Sequence, residues 1–163
     1  YDLLIKNEQF LYEKDHDRMT GVYNRSKYEA LLAETFSGYH TIGVLFFDVD
    51  YLKRTNDTFG HSAGDEVLIR TAALLKRIPP ENKLIFRIGG DEFVAILPDC
   101  TADACEKFLM HWREEKEQSE KKEPLPISFS VACGYCYGGE GYDILQVIRR
   151  ADQNMYLCKQ KER

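Results

Sequence analysis

The sequence predicts an α+β fold in which helices pack on a mainly antiparallel central sheet. Apolar residues recur with a helical period in several segments, and elsewhere they form short runs of strand length. Two of these runs are joined through a Gly-Gly turn, which is typical of a β-hairpin. From residue 26 onward the predicted elements follow the order helix, strand, helix, hairpin, helix, strand, helix. This order is typical of a ferredoxin-like or polymerase-palm sandwich.

The N-terminal part of the chain predicts two helices and the central strand. Residues 1 to 14 have near-heptad apolar spacing, and the chain begins at Tyr1 rather than Met, so we expect the end of a linker helix arriving from an upstream domain. A loop over residues 17 to 24 precedes a helix over residues 26 to 36. Residues 42 to 49 are dense in branched and aromatic side chains, which favours a central strand.

The remainder of the chain predicts six further elements after a polar connection. Residues 51 to 60 are polar and predict that connection. The long helix that follows ends before Pro79, because proline cannot continue a helix. The predicted elements are a helix at 63 to 77, hairpin strands at 84 to 88 and 93 to 97, a helix at 102 to 120, a strand at 127 to 137 and a helix at 143 to 160.

Composition limits the classes of function. The 163 residues suffice for one domain with a single core, and no apolar run approaches the ~20 residues that cross a bilayer. Lys and Arg total 22 against 27 Asp and Glu, and this net charge of -5 disfavours binding to long nucleic acid. An acidic domain can still bind a nucleotide through metal ions and a few cations. Five cysteines without disulfide-scaffold spacing favour a reduced, cytoplasmic compartment.

Two acidic clusters lie at the ends of predicted strands. Asp48 and Asp50 close the most apolar strand, where the pleat places both on one face, and Gly89 to Glu92 forms the hairpin tip. If the hairpin lies beside that strand, Asp91 or Glu92 comes close to Asp48. Grouped carboxylates repel one another unless a cation neutralises them, and oxygen ligands favour magnesium or manganese. The alternative is that acids end strands simply because loops are exposed to water.

Five sequence blocks follow one another in a characteristic order from Asp17 to the end of the chain. They are Asp17 with residues 19 to 25, residues 47 to 53 with Asn56, Asp57, Gly60 and His61, residues 64 to 68, residues 87 to 93, and Ala151-Asp152 with Tyr156 and Lys159. Together they resemble the GGDEF family of diguanylate cyclases, which is named after its Gly-Gly-Asp-Glu-Phe signature. The resemblance implies a nucleotide cyclase-like domain over residues 17 to 163, preceded by the linker helix over residues 1 to 16.

The same resemblance implies a metal and catalytic site. Asp48 and Asp91, with the backbone carbonyl of Val49, would hold two Mg²⁺ or Mn²⁺ ions for each GTP. Glu92 would be needed for catalysis, either as a base or as a metal ligand.

It also implies substrate contacts. Asn56 and Asp65 would read the guanine edge, Lys159 and Arg163 would hold phosphates, and Lys53 would contact the triphosphate. Each assignment has a structural alternative. Asp65 in a first helical turn, and the two cations in a last turn, are favoured by the helix dipole in any case. Asn56 could be an ordinary turn residue.

The chain departs from the family pattern at several positions. Leu52 stands where Phe is usual, and Glu162 precedes Arg163 where Gly is usual. Many relatives carry an Arg-x-x-Asp product-inhibition site upstream of the signature, and its two positions are here Pro80 and Lys83. We therefore expect this form of feedback inhibition to be absent.

The implied function is that of a nucleotidyltransferase in bacterial signal transduction. Two copies would form a homodimer, in which the 3′-hydroxyl of each GTP attacks the α-phosphate of the other and yields cyclic di-GMP and two pyrophosphates. An upstream sensory domain would control pairing. The domain itself would be cytoplasmic, without nucleic-acid partners or direct membrane contact, and the full-length protein could be membrane-anchored. The alternatives are a catalytically silent nucleotide-binding module and a cyclase with relaxed base choice.

Overall fold

Four strands and six α-helices are present in residues 2–125, 127 and 129–161, which the computed structural model describes. The strands are β1 (Ile42–Val49), β2 (Leu84–Arg87), β3 (Glu92–Pro98) and β4 (Val131–Gly138). The helices are α1 (Asp2–Asp15), α2 (Arg25–Glu34), α3 (Leu52–Phe59), α4 (His61–Arg77), α5 (Ala104–Lys122) and α6 (Ile144–Lys161), with a 3-10 turn at Phe36–Gly38.

The sheet is antiparallel throughout, with the strand order β2-β3-β1-β4. Every residue of β1 is buried, because both of its faces are covered. On one face, Leu45 and Phe47 enter a core shared with α4 and α5, where Phe47 packs on Trp112 at a ring-centroid distance of 5.3 Å. On the other face, Val44 and Phe46 enter a core shared with α2 and α6. The predicted α+β sandwich is confirmed.

The connection predicted over residues 51 to 60 is wrong, because most of it forms the helix α3. Tyr51 adopts a left-handed conformation with φ 59°, which turns the chain from β1 directly into the helix, and Gly60 ends it with φ 92°. The polar composition conceals an inward side on which Leu52 is half-buried and Thr55 is buried. The strand predicted from residue 127 also begins later, at Val131.

The helix α1 has no buried residue among those described, and Leu3, Leu4, Phe10 and Leu11 are all more than half exposed. It contacts the rest of the domain mainly through α2. None of the helices in the described part of the chain has the length and hydropathy of a membrane-spanning segment.

Candidate active site

The carboxyl end of β1 and the tip of the β2–β3 hairpin meet at one end of the sheet. Asp48 pairs with Glu92 in the β1–β3 register, and the backbone N–H of Val49 donates to the carbonyl oxygen of Asp91 at 2.9 Å. The prediction that a hairpin beside β1 would bring Asp91 or Glu92 close to Asp48 is confirmed. The alternative of separate, fully solvated acids fails for Asp48, which is only 7% exposed.

The two oxygens of the Asp48 carboxylate have different surroundings. Oδ2 accepts a hydrogen bond from Lys159 Nζ at 3.1 Å, whereas Oδ1 is buried and has no hydrogen-bond partner in the described part of the chain. Burial raises the pKa of Asp48, the hydrogen bond from Lys159 opposes this, and the charge of Asp91 raises it again, so that the pKa lies above its ordinary value. A buried carboxylate oxygen without a partner is costly, and a cation would stabilise it.

Glu92 belongs to the same crowded set of negative charges. Burial raises its pKa, and the charges of Asp48, Asp91 and Asp152 raise it further. Asp48, Asp91 and the Val49 carbonyl supply the hard oxygen atoms that Mg²⁺ and Mn²⁺ prefer. In the described residues no three His, Cys, Asp or Glu side chains form a ready metal cage. Mg²⁺ commonly binds through only one or two carboxylates and keeps several waters, and Asp48 and Asp91 fit that kind of site.

Lys159, one of the cations predicted from the sequence, contacts this carboxylate cluster directly through Asp48. Burial alone would lower the pKa of Lys159, but the hydrogen bond and charge of Asp48, with the charges of Asp50 and Asp91, raise it. Asp50 is itself held by Ser130, whose hydroxyl donates to it at 2.9 Å. The Lys159 ammonium is therefore charged and lies at the carboxylate cluster, within reach of any phosphate that binds there.

A cavity of about 1010 Å³ opens beside the cluster. Asp48 and Glu92 line one side, and Asp152, Tyr156 and Lys159 of α6 line the other. Its volume lies just above the usual range of about 300–1,000 Å³ for small-molecule sites, and the residues that line it do not include Asn56, Asp65 or Lys53.

The residues predicted to read guanine lie at the corner where α3 and α4 pack together. Asn56 is on α3, and its side chain lies against Gly64, the neighbour of the exposed Asp65. The alternative roles are contradicted: Asn56 is inside a helix, and α4 begins at His61, which places Asp65 beyond the first turn. Lys53 is exposed on α3.

The predicted phosphate-binding roles of Lys159 and Arg163 are not tested by the structure. Lys159 does lie in the last turn of α6, so the dipole explanation remains available for it. Arg163 lies outside the described residues.

Sequence reasoning missed the network that holds the hairpin tip. Arg87 donates to the Gly90 carbonyl oxygen at 2.9 Å and to Asp17 Oδ2 at 3.2 Å, and Arg25 donates to the Ile88 carbonyl oxygen at 2.9 Å. Asp17 and Arg87 lie in two different motif blocks and have opposite charge. These two features of the sequence could have indicated that they form an ion pair. The network anchors the tip on which Asp91 and Glu92 lie.

Replacing Asp17 with Asn is expected to lower the free energy of unfolding by about 1–2 kcal/mol at pH 7. Burial acts to raise the pKa of Asp17, but hydrogen bonds from Thr20 and the Arg87 charge hold it below its ordinary value. This stabilisation is therefore present above the unfolded-state pKa of roughly 3.9 and is lost as the pH falls through the lower folded-state pKa.

Urea denaturation of wild type and Asp17→Asn between neutral and acid pH measures this loss. The exposed Asp57 supplies the control, Asp57→Asn, which should match wild type within about 0.5 kcal/mol. A difference between wild type and Asp17→Asn that stays constant with pH would show that the ion pair does not act through the Asp17 charge.

Comparison with known proteins agrees with the geometry. Residues 14–163 match the family model described as "Diguanylate cyclase, GGDEF domain". An uncharacterized membrane protein of Staphylococcus saprophyticus is 33% identical over 155 residues, covering 90% of this chain and 44% of the relative. A second one, of Staphylococcus aureus, is 30% identical over 159 residues, covering 93% of this chain and 45% of the relative. The chain thus spans less than half the length of these relatives.

Solved structures give the same result. The coiled coil and GGDEF domain of DgcB from Caulobacter crescentus, in complex with c-di-GMP, aligns with a TM-score of 0.84 at 27% identity, covering 99% of this chain and 89% of that one. The diguanylate cyclase SiaD from Pseudomonas aeruginosa, in complex with its activator SiaC, aligns with a TM-score of 0.77 at 25% identity, covering 99% of this chain and 65% of that one. This chain belongs to the GGDEF family of diguanylate cyclase domains.

Proposed function

We propose that this domain condenses two GTP molecules into cyclic di-GMP and two pyrophosphates. The observation that carries the proposal is the cluster of Asp48, Asp91 and Glu92, in which Asp48 Oδ1 is buried without a partner among the described residues, beside the charged Lys159. A silent member of the family would have no need to keep this costly group of charges.

In the proposed site, Asp48, Asp91 and the Val49 carbonyl would hold two Mg²⁺ or Mn²⁺ ions beside the triphosphate. When bound, such ions increase the acidity of the attacking hydroxyl and neutralise charge on the phosphoryl and leaving oxygens. Lys159 binds a phosphate of GTP, either keeping its hydrogen bond to Asp48 or giving it up. Glu92, with its raised pKa, serves as proton acceptor or as a further ligand.

In this proposal the guanine base of GTP is recognised at the corner where α3 and α4 meet. The carboxylate of Asp65 can accept from both N1 and N2 of guanine, a donor pair that adenine lacks. Asn56 supplies an amide from the adjoining helix, and Lys53 and Arg163 add charge for the triphosphate. A site that pairs with polar groups of one base discriminates strongly against a base lacking them, which favours GTP over ATP.

One copy supplies half of the reaction, because the 3′-hydroxyl of each GTP must reach the α-phosphate on the other copy. We therefore propose that the catalytic domain, residues 17 to 163, works as a homodimer. The exposed apolar side chains of α1 support a helical linker over residues 1 to 16 that joins an upstream sensory domain and brings two copies together. The membrane relatives support a full-length protein that is anchored in a membrane. We propose that this domain lies on its cytoplasmic side.

The test is incubation of the domain with GTP and Mg²⁺ at several protein concentrations, with cyclic di-GMP measured by mass spectrometry. We expect product to rise more steeply than protein concentration, because two loaded copies must meet. Glu92→Ala should make no product, whereas Glu140→Ala, at an exposed turn, should behave as wild type. Measurable GTP binding without product at the highest protein concentration would instead indicate a nucleotide-binding module.

The same assay tests feedback. Because Pro80 and Lys83 occupy the two positions of the Arg-x-x-Asp site, we propose that cyclic di-GMP does not inhibit through that site. Added product should leave the initial rate unchanged apart from competition at the GTP site. Inhibition that excess GTP cannot overcome would contradict this.

A further inference from the structure

Gly64 lies on the buried side of α4, directly against the carboxamide of Asn56 on α3. A Cβ atom built at position 64 would lie 1.8 Å from Asn56 Oδ1, 2.8 Å from Cγ and 3.2 Å from Nδ2. All three of its nearest neighbours therefore belong to one side-chain amide. The missing side chain of Gly64 provides the space that this amide occupies.

The Asn56 amide is held there at a cost. Its Oδ1 is buried and has no hydrogen-bond partner in the part of the chain that the structure describes. An unpaired buried acceptor is unfavourable, so the packing of α3 on α4 must impose the position. Exchanging the amide oxygen and nitrogen does not remove the constraint, because either atom then lies against position 64.

From this geometry we propose that Gly64 is a positioning residue that fixes Asn56 for base recognition beside Asp65. The inference rests on the proposed function, in which Asn56 and Asp65 read guanine. It adds that the specificity of the site depends on the absence of a side chain one residue before Asp65.

The two helices cannot easily separate to accept a methyl group at position 64. Buried Val67 and Leu68 fix α4 in the core, and buried Thr55 fixes α3 immediately before Asn56. An alanine at position 64 would therefore push the Asn56 side chain into another rotamer, because rotating one side chain costs less than moving two packed helices. The amide would then leave the position from which it reaches the base.

A double-mutant cycle tests this with Gly64→Ala, Asn56→Ala and the double variant, each in a Glu92→Ala background that prevents turnover. Equilibrium binding of GTP and of ATP with Mg²⁺ is measured for each protein. We expect Gly64→Ala to weaken GTP binding about tenfold and Asn56→Ala to do the same, with ATP binding unchanged. The double variant should bind GTP no more weakly than Asn56→Ala, because the new methyl group occupies the space that the amide vacated.

Thermal melting of the same proteins supplies an independent readout of the contact. Alanine inside α4 has a higher helix propensity than glycine, so Gly64→Ala should raise the melting temperature when it is combined with Asn56→Ala. When Asn56 is present, the displaced amide should offset this gain, so the effect of Gly64→Ala on the melting temperature should be clearly smaller or negative. Should Gly64→Ala fail to fold alone, the double variant should still fold. Gly38→Ala, where a Cβ meets nothing within 4 Å, is the control for a glycine-to-alanine change.

Three outcomes would contradict either the positioning role of Gly64 or the proposed guanine site. Wild-type affinity for GTP in Gly64→Ala would overturn the inference, and so would effects of the two single changes that simply add. A wild-type domain that binds GTP and ATP equally would overturn the proposed guanine site instead. The melting cycle would then still report whether Gly64 holds Asn56 in place.

Discussion

Replacing Asp48 with Asn is expected to reduce cyclic di-GMP formation about 10²–10³-fold. Asn keeps the size of the side chain but removes the negative charge that would bind a metal ion in the proposed site, and a neutral amide is a poor ligand for Mg²⁺. The proposed guanine contacts, Asn56 and Asp65, are on other elements, so GTP should still bind, and the loss should fall mainly on kcat rather than on KM.

The fold should tolerate this change. Asp48 is buried among Asp91 and Glu92, and removing one of three negative charges relieves their mutual repulsion. Lys159 loses its hydrogen-bonded carboxylate but is 25% exposed and can turn to water. Circular dichroism melts should therefore show a cooperative transition close to that of wild type.

Two further measurements separate a metal-binding role from a general disturbance. Raising the Mg²⁺ concentration should recover part of the activity of Asp48→Asn, because the remaining ligands still bind the ion weakly. Asp143→Asn, an exposed change just before α6, should retain wild-type activity. Undiminished turnover by Asp48→Asn would exclude Asp48 as a metal ligand and with it the proposed site.

The sequence predicted the central part of this site well because local pattern and tertiary structure agree there. The buried strand over residues 42 to 49 has its observed bounds, and the Gly-Gly turn indicated the hairpin. Strand alternation and pairing then limited where Asp48, Asp91 and Glu92 could lie. The grouping of these carboxylates could therefore be predicted only on the condition that the hairpin lies beside β1, and the β1–β3 pairing supplies that condition.

Other features could not be predicted from local pattern. The helix α3 depends on the left-handed turn at Tyr51 and on packing against α4, and tertiary packing of this kind overrides a polar composition. The contact between Lys159 and Asp48 joins residues 111 positions apart, on elements whose relative placement no motif specifies. The close approach at Gly64 likewise appears only when α3 and α4 are assembled.

A second glycine explains why α6 can bring Lys159 to the carboxylates. Gly134 is buried in β4, and a Cβ there would lie 1.9 Å from the backbone nitrogen of Met155. The helix backbone thus rests directly on the strand, and Asn154 Nδ2 donates to the Tyr135 carbonyl oxygen at 2.8 Å beside the contact. Lys159 follows Met155 by one helical turn, so the depth of this contact sets where its ammonium lies.

Replacing Gly134 with Ala is expected to lower the free energy of unfolding by about 3 kcal/mol. The obstruction is backbone, which no change of rotamer can relieve, so α6 must move away from β4. For a domain of this size the melting temperature should fall by roughly 6–12 °C, measured by differential scanning calorimetry. Gly139→Ala is the control, because a Cβ there meets only Tyr137 at 3.7 Å.

The same displacement should reduce activity more than stability alone explains. At a temperature where Gly134→Ala is still folded, α6 would hold Lys159 farther from Asp48, and cyclic di-GMP formation per folded protein should fall along with stability. The control Gly139→Ala should keep both the stability and the activity of wild type. If Gly134→Ala melts within about 2 °C of wild type, α6 does not lie against β4 in solution, and the position of Lys159 must be set by another contact.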